Sequence, residues 1–151
     1  MLPNPQQLIK EFQKVAAIAG VDLPATALTF DALGAPHKSS RLPPGKMAVY
    51  VFSLNGECLK VGKVGPKSSA RFSSQHYSAG SSKSNLAKSL LSCSDLSLPG
   101  FSQDPGAWIK TNVERTNFLL DANCGVPVLT LLESFLQCRL KPRFEGFESQ
   151  R

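Results

Sequence analysis

Six side chains and one glycine in this sequence are of types that can work on a phosphodiester: Tyr50, Lys60, Gly62, Lys63, Arg71, His76 and Glu133. Arg71 presents a planar fork that grips two phosphate oxygens and stays charged throughout a reaction. Lys60 and Lys63 supply point charges, and Gly62 between them leaves room for a phosphate to approach the backbone. His76 ordinarily titrates near neutrality, which suits general acid–base work or the orientation of water. Tyr50 is a poor base at its unperturbed pKa of about 10. A nearby ammonium would lower that value and fit the phenol to take a proton from attacking water.

Glu133 is the only acid between Asp121 and Glu145. It lies at the edge of an apolar helical arc formed by Val128, Leu129, Leu132, Phe135, Leu136 and Leu140. A single carboxylate at such a boundary, with waters and substrate oxygens, suits Mg2+ or Mn2+. Taken singly, each residue has an ordinary structural role: a core tyrosine, solvent-facing lysines, a structural histidine, a boundary glutamate in a weak ion pair. Their conjunction favours chemistry.

The elements that must position them follow from local signals. Asn4 before Pro5 is an N-cap and first helical residue, and Leu8, Phe12, Val15, Ala16 and Ala19 recur at helical spacing up to Gly20. A second helical stretch is predicted over residues 25–33, followed by a breaker-rich linker from Gly34 to Gly45. Residues 47–54 and 57–64 are predicted strands joined at Asn55-Gly56. A short helix or turn is expected over 67–77, a polar loop over 78–84, and a helix over 85–91. Residues 92–106 have no regular pattern, a third strand is expected within 108–121, and a last helix runs from Pro127 to about Leu140. The predicted class is α+β: a small three-stranded sheet, antiparallel or mixed, flanked by helices, with an N-terminal helical extension.

The hairpin register decides whether Tyr50 and Lys60 share a face. A two-residue Asn55-Gly56 turn sets Tyr50 against Val61 and sends Lys60 to the opposite side. A three-residue loop, Leu54-Asn55-Gly56, sets Tyr50 directly across from Lys60. A shared site requires the second, so the three-residue loop is the expectation.

The formal net charge is +6, and no acidic residue occurs from Cys58 to Ser94, where Lys60, Lys63, Lys67, Arg71, Lys83 and Lys88 all fall. Such a segment is the electrostatic footprint of a polyanion partner. Lys63, Lys67, Tyr77, Lys83 and Lys88 are the candidate nucleic-acid contacts. Cys58, Cys93, Cys124 and Cys138 are widely spaced and form no Cys-x-x-Cys pair, so they are expected to be reduced, small hydrophobic residues. The N-terminus lacks the basic and apolar regions of a secretion signal, and no apolar run reaches membrane-spanning length. The expectation is a cytoplasmic protein with no membrane contact.

Over residues 47–146 the chain resembles the GIY-YIG nuclease domain. Ala48-Val49-Tyr50 stands for the first tripeptide, Lys60-Val61-Gly62 for the second, Arg71 for the helix arginine and Glu133 for the metal-binding glutamate. The resemblance implies Mg2+-dependent hydrolysis of nucleic acid, usually DNA, with the first-motif tyrosine activating water. Lys60 replaces the second tyrosine, as in some restriction-type members, and Glu145 falls where many relatives have asparagine. The implied organisation is an extension and linker over residues 1–45 and a nuclease-like domain over 46–151. A restriction or phage-defence setting suits so small a domain. A nucleic-acid-binding module that keeps the fold without turnover is the alternative.

Overall fold

The computed structural model describes residues 2–78, 86–92 and 104–144. Helix α1 (Pro5–Ile18) starts where the sequence predicts. The Asn4 side chain accepts the Gln6 N–H at 2.8 Å, and Pro5 occupies the first turn, where its missing N–H is no loss. The helix buries Leu8, Ile9, Phe12 and Ala16.

The second helical stretch predicted over residues 25–33 is instead strand β1 (Leu28–Gly34). It pairs antiparallel with β4 (Glu114–Asp121), Leu28 opposite Leu120 and Phe30 opposite Phe118. Tertiary pairing overrides a weak local helical preference here. Among the described residues the sheet is therefore four-stranded rather than three-stranded, wholly antiparallel, in the order β1-β4-β2-β3, where β2 is Lys46–Leu54 and β3 is Glu57–Val64.

Short helices α2 (Ser69–Ser73) and α3 (Leu86–Leu91) and a single turn at Gln75–Tyr77 follow β3. The third predicted strand is half helix: α4 (Pro105–Asn112) precedes β4. Asp104 accepts the Ala107 N–H at 3.1 Å ahead of Pro105, the same start signal as Asn4-Pro5. Helix α5 (Val126–Leu140) agrees with expectation within one residue.

Both faces of the sheet are covered. On one, Val49, Val51, Val61 and Phe118 pack under Phe12 of α1 and Leu129, Leu132 and Leu136 of α5. On the other, Ala48, Tyr50, Phe52 and Leu119 meet Phe72, Leu86, Leu90 and Ile109. Fully burying one such side chain contributes roughly 1.5–3 kcal/mol. Helix α1 is tied to α5 by Glu11, which accepts two bonds from Arg139 at 2.8 and 3.0 Å. The boundary expected near residue 45 thus falls within one sheet and its two cores. Among the described residues no helix is long and apolar enough to cross a membrane.

The β2–β3 hairpin adopts neither expected register. Asn55 and Gly56 form a two-residue turn with φ +51° and +79°, and Ser53 pairs with Cys58. Leu59 is then a bulge, so that Phe52 pairs with Lys60, Val51 with Val61 and Tyr50 with Gly62. Tyr50 lies opposite Gly62 rather than Lys60. The bulge nevertheless returns Lys60 to the face of Tyr50, which is what the longer loop was expected to achieve.

Candidate active site

The site is built on Tyr50 in the middle of β2 and Gly62 in β3, the last strand on that side of the sheet. Gly62 was expected to admit a phosphate. The space above it is instead taken by the Tyr50 ring: a Cβ there would stand 2.9 Å from Tyr50 Cε2 and closer still to Cζ and Oη. Glycine is required so that the ring can lie across the strand.

Tyr50 is fully buried, and burial pushes its pKa up to about 12, against the nearby charges of Arg71 and Arg115. The basic surroundings therefore do not lower the phenol as expected, and it stays protonated near neutrality. Arg71, half-buried on α2, approaches the hydroxyl closely enough to act on it by charge and as a donor. Among the described residues the hydroxyl has no partner at full hydrogen-bond geometry, although Arg71 approaches it as a donor.

His76 stacks against this ring, the centroids 4.4 Å apart, with Phe52 at 5.4 Å on the same imidazole. Its Nδ1 accepts the Leu86 N–H at 3.2 Å at the start of α3, which leaves the ring proton on Nε2. Nε2 is buried and also without a hydrogen-bond partner among the described residues. Burial, helped by the charges of Arg71, Lys60 and Arg115, lowers the His76 pKa to about 2. His76 is thus a fixed neutral donor and not the group titrating near neutrality that its type suggests.

Lys60 is 3% exposed and shares the face of Tyr50 and His76. Lys63 lies on the other face, opposite Val49, and its Nζ donates to Glu133 Oε1 at 2.8 Å. Glu133 comes from α5, yet is near enough to Tyr50 to raise its pKa. The tyrosine and the carboxylate thus arrive from opposite faces and influence each other at the last strand of the sheet.

The expected nucleic-acid contacts divide. Lys67 and Lys88 are exposed, and Lys83 lies outside the described residues, as do Cys93 and Glu145. Tyr77 is buried, its hydroxyl donating to His37 Nε2 at 2.7 Å and accepting from Arg115 Nη1 at 2.9 Å. It braces the site from behind, its hydroxyl already bonded on both sides.

Two residues of that brace are not evident from the sequence. Arg115, 1% exposed, donates from Nε to Asn117 Oδ1 at 2.8 Å and from Nη2 to the Phe72 carbonyl at 2.6 Å. Its guanidinium lies over the rings of Phe72, Phe52 and Tyr50 at 4.7, 5.2 and 5.7 Å. His37, from the supposed linker, is buried with Nδ1 donating to the Val113 carbonyl at 2.8 Å. One signal was available. Arg115 and Asn117 share strand parity with Val113 and Leu119, which places two polar groups at inward positions.

Chemically the arrangement gathers a phenol O–H, an imidazole N–H, a guanidinium and an ammonium, all donors, with one carboxylate alongside. Among the described residues no group of three or more His, Cys, Asp or Glu side chains assembles. A cation held at Glu133 would have one protein carboxylate and would take its remaining ligands from water and substrate, a donor set that suits Mg2+. No family model matches the chain, and neither does any curated protein or solved structure.

Proposed function

We propose that the chain is a metal-dependent endonuclease hydrolysing nucleic-acid phosphodiesters, DNA foremost, a variant of the GIY-YIG nuclease domain with Lys60 in place of the second tyrosine. The observation that carries this reading is the pair of buried polar atoms, Tyr50 Oη and His76 Nε2, on rings 4.4 Å apart, neither with a partner at full hydrogen-bond geometry among the described residues. Folded chains pair nearly all such groups, so two adjacent exceptions beside Arg71 and Lys60 support a role in holding a ligand. Both atoms donate and both neighbours are cations, so the ligand is an anion.

In this reading Arg71 and Lys60 draw the phosphate in, and the Tyr50 O–H and His76 N–H donate to its oxygens. Donors fixed before charge develops stabilise the transition state without reorganising. With a pKa of about 12, only ~10⁻⁵ of Tyr50 is phenolate at neutral pH, so it enters the reaction as a donor rather than a ready base. Glu133 holds the divalent cation, which when bound supplies Lewis acidity and lowers the pKa of coordinated water.

Nicking of supercoiled plasmid with Mg2+, Mn2+ or EDTA tests the proposal, comparing wild type with Glu133→Ala. Metal-dependent nicking lost in the variant supports it. A second reading, a nucleic-acid-binding module without turnover, draws on the fact that Lys63 already occupies the Glu133 carboxylate and that Tyr50 is held protonated. Salt-sensitive binding indifferent to metal and to Glu133→Ala, with no cleavage of DNA or RNA, would favour it.

A further inference from the structure

We infer that Lys63 is the resident counter-ion of Glu133 and a positioning residue of the site, surrendering the carboxylate to a divalent cation when a phosphate takes up its ammonium; this rests on the nuclease reading above. Lys63 Nζ stands 2.8 Å from Glu133 Oε1, and the lysine is the more exposed partner, 37% against 16%. An ion pair of this exposure exchanges readily. The lysine stem is flexible and its ammonium has three rotatable donors, so it can turn to a phosphate without moving the strand.

Its place in the chain is equally telling. Lys63 follows Gly62, the residue over which the Tyr50 ring lies, so that one stretch of β3 serves the phenol on one face and the carboxylate on the other. The other described ion pairs, Lys46–Asp121, Arg139–Glu11 and Arg143–Glu57, involve no residue that acts on Tyr50 or His76. They join elements, whereas Lys63–Glu133 occupies the only carboxylate that bears on Tyr50 among the described residues.

While the pair is closed, the ammonium neutralises the carboxylate and repels a second cation. The free protein therefore binds divalent ions weakly. A phosphate attracts Lys63 and frees Glu133, and by linkage the cation strengthens phosphate binding by the same factor. Metal and nucleic acid thus load together.

The test measures Mn2+ binding to the full chain by the loss of the free-ion EPR signal. Lys63→Met is expected to bind Mn2+ alone about tenfold more tightly than wild type, Lys63→Arg to stay near wild type, and Glu133→Gln to lose binding. In a Tyr50→Phe background, which slows cleavage, a short DNA duplex is expected to tighten Mn2+ binding by a larger factor when Lys63 is present than in Lys63→Met. If Lys63→Met binds Mn2+ no more tightly than wild type while Glu133→Gln still abolishes binding, the inference falls and the nuclease reading survives. If Glu133→Gln binds as wild type does, the metal assignment falls and takes the inference with it.

Discussion

Tyr50 lies opposite Gly62 across the β2–β3 ladder, and its ring fills the space in which any side chain at position 62 would stand. Gly62→Ala must therefore push the ring aside, since the blocking atoms belong to a rigid aromatic in a packed core. We expect a loss of about 1–3 kcal/mol in stability from overpacking, with a larger proportional loss of cleavage because the hydroxyl is displaced. Urea denaturation and plasmid nicking of the same preparation check this. A variant with wild-type stability and activity would mean the ring is not held where we place it.

Arg115 is the brace most sensitive to change. Its removal leaves the Asn117 Oδ1, the Tyr77 hydroxyl and the Phe72 carbonyl each short of a donor in a buried site. At about 1–3 kcal/mol for each group left unpaired, Arg115→Met should lose ~3 kcal/mol or more. Arg115→Lys should recover little, because one compact ammonium cannot span the positions that a planar fork reaches. Thermal and urea denaturation decide it. A loss below about 1 kcal/mol for either variant would place Arg115 among ordinary surface substitutions and remove the brace from the account.

The same residues show how far the sequence carries and where it stops. The cap at Asn4-Pro5, the position of the hairpin at Asn55-Gly56 and helix α5 rest on local chemistry and could be read directly. The four-stranded sheet could not. Residues 28–34 have little local preference, and only pairing with β4 makes them a strand. The bulge at Leu59 is equally invisible, because apolar residues on both faces of β3 erase the alternation that would report a register. Residue types in the site were legible, but their protonation was not. A histidine at neutral pH and a phenol softened by cations are reasonable from composition, and burial reverses both. His37 lay hidden because a Pro- and Gly-rich segment gives no hint of being tucked inside, whereas strand parity with Val113 and Leu119 was the one signal for Arg115.

Acid should destabilise the fold through its histidines. Burial lowers the His76 pKa from 6.5 to about 2 and lowers that of His37 in the same direction. A depressed folded-state pKa means the unfolded chain binds the proton first, so stability present above pH 6.5 is lost as pH falls below it. Each group contributes at most about 1.4 kcal/mol per pH unit. His76→Asn keeps an acceptor for the Leu86 N–H and removes one titration, so its stability should fall less steeply between pH 6.5 and 4. Urea midpoints across that range check it, and coincident slopes for the two proteins would contradict the burial of a neutral His76. At the alkaline end the sign is opposite in origin. Tyr50, raised from 10 to about 12, favours the folded state below pH 10, and that contribution is lost as pH climbs towards 12.

Tyr50→Phe should fold at least as well as wild type. The hydroxyl it removes is buried and lacks a partner at full hydrogen-bond geometry among the described residues, so deleting it forfeits at most the approach of Arg71 and leaves no hole larger than an oxygen. We expect an unchanged or raised thermal midpoint. A marked fall would show that the hydroxyl is a structural group with a partner of its own.

That expectation makes Tyr50→Phe the sharpest probe of the central claim, because a loss of activity cannot then be laid to unfolding. The measurement is the initial rate at which supercoiled plasmid is nicked in Mg2+ or Mn2+, for wild type and Tyr50→Phe side by side, with EDTA as the blank. The account predicts metal-dependent nicking by wild type and a fall of about 10²–10³-fold in the variant, the loss typical of a removed transition-state donor. Equal rates for the two proteins would contradict it.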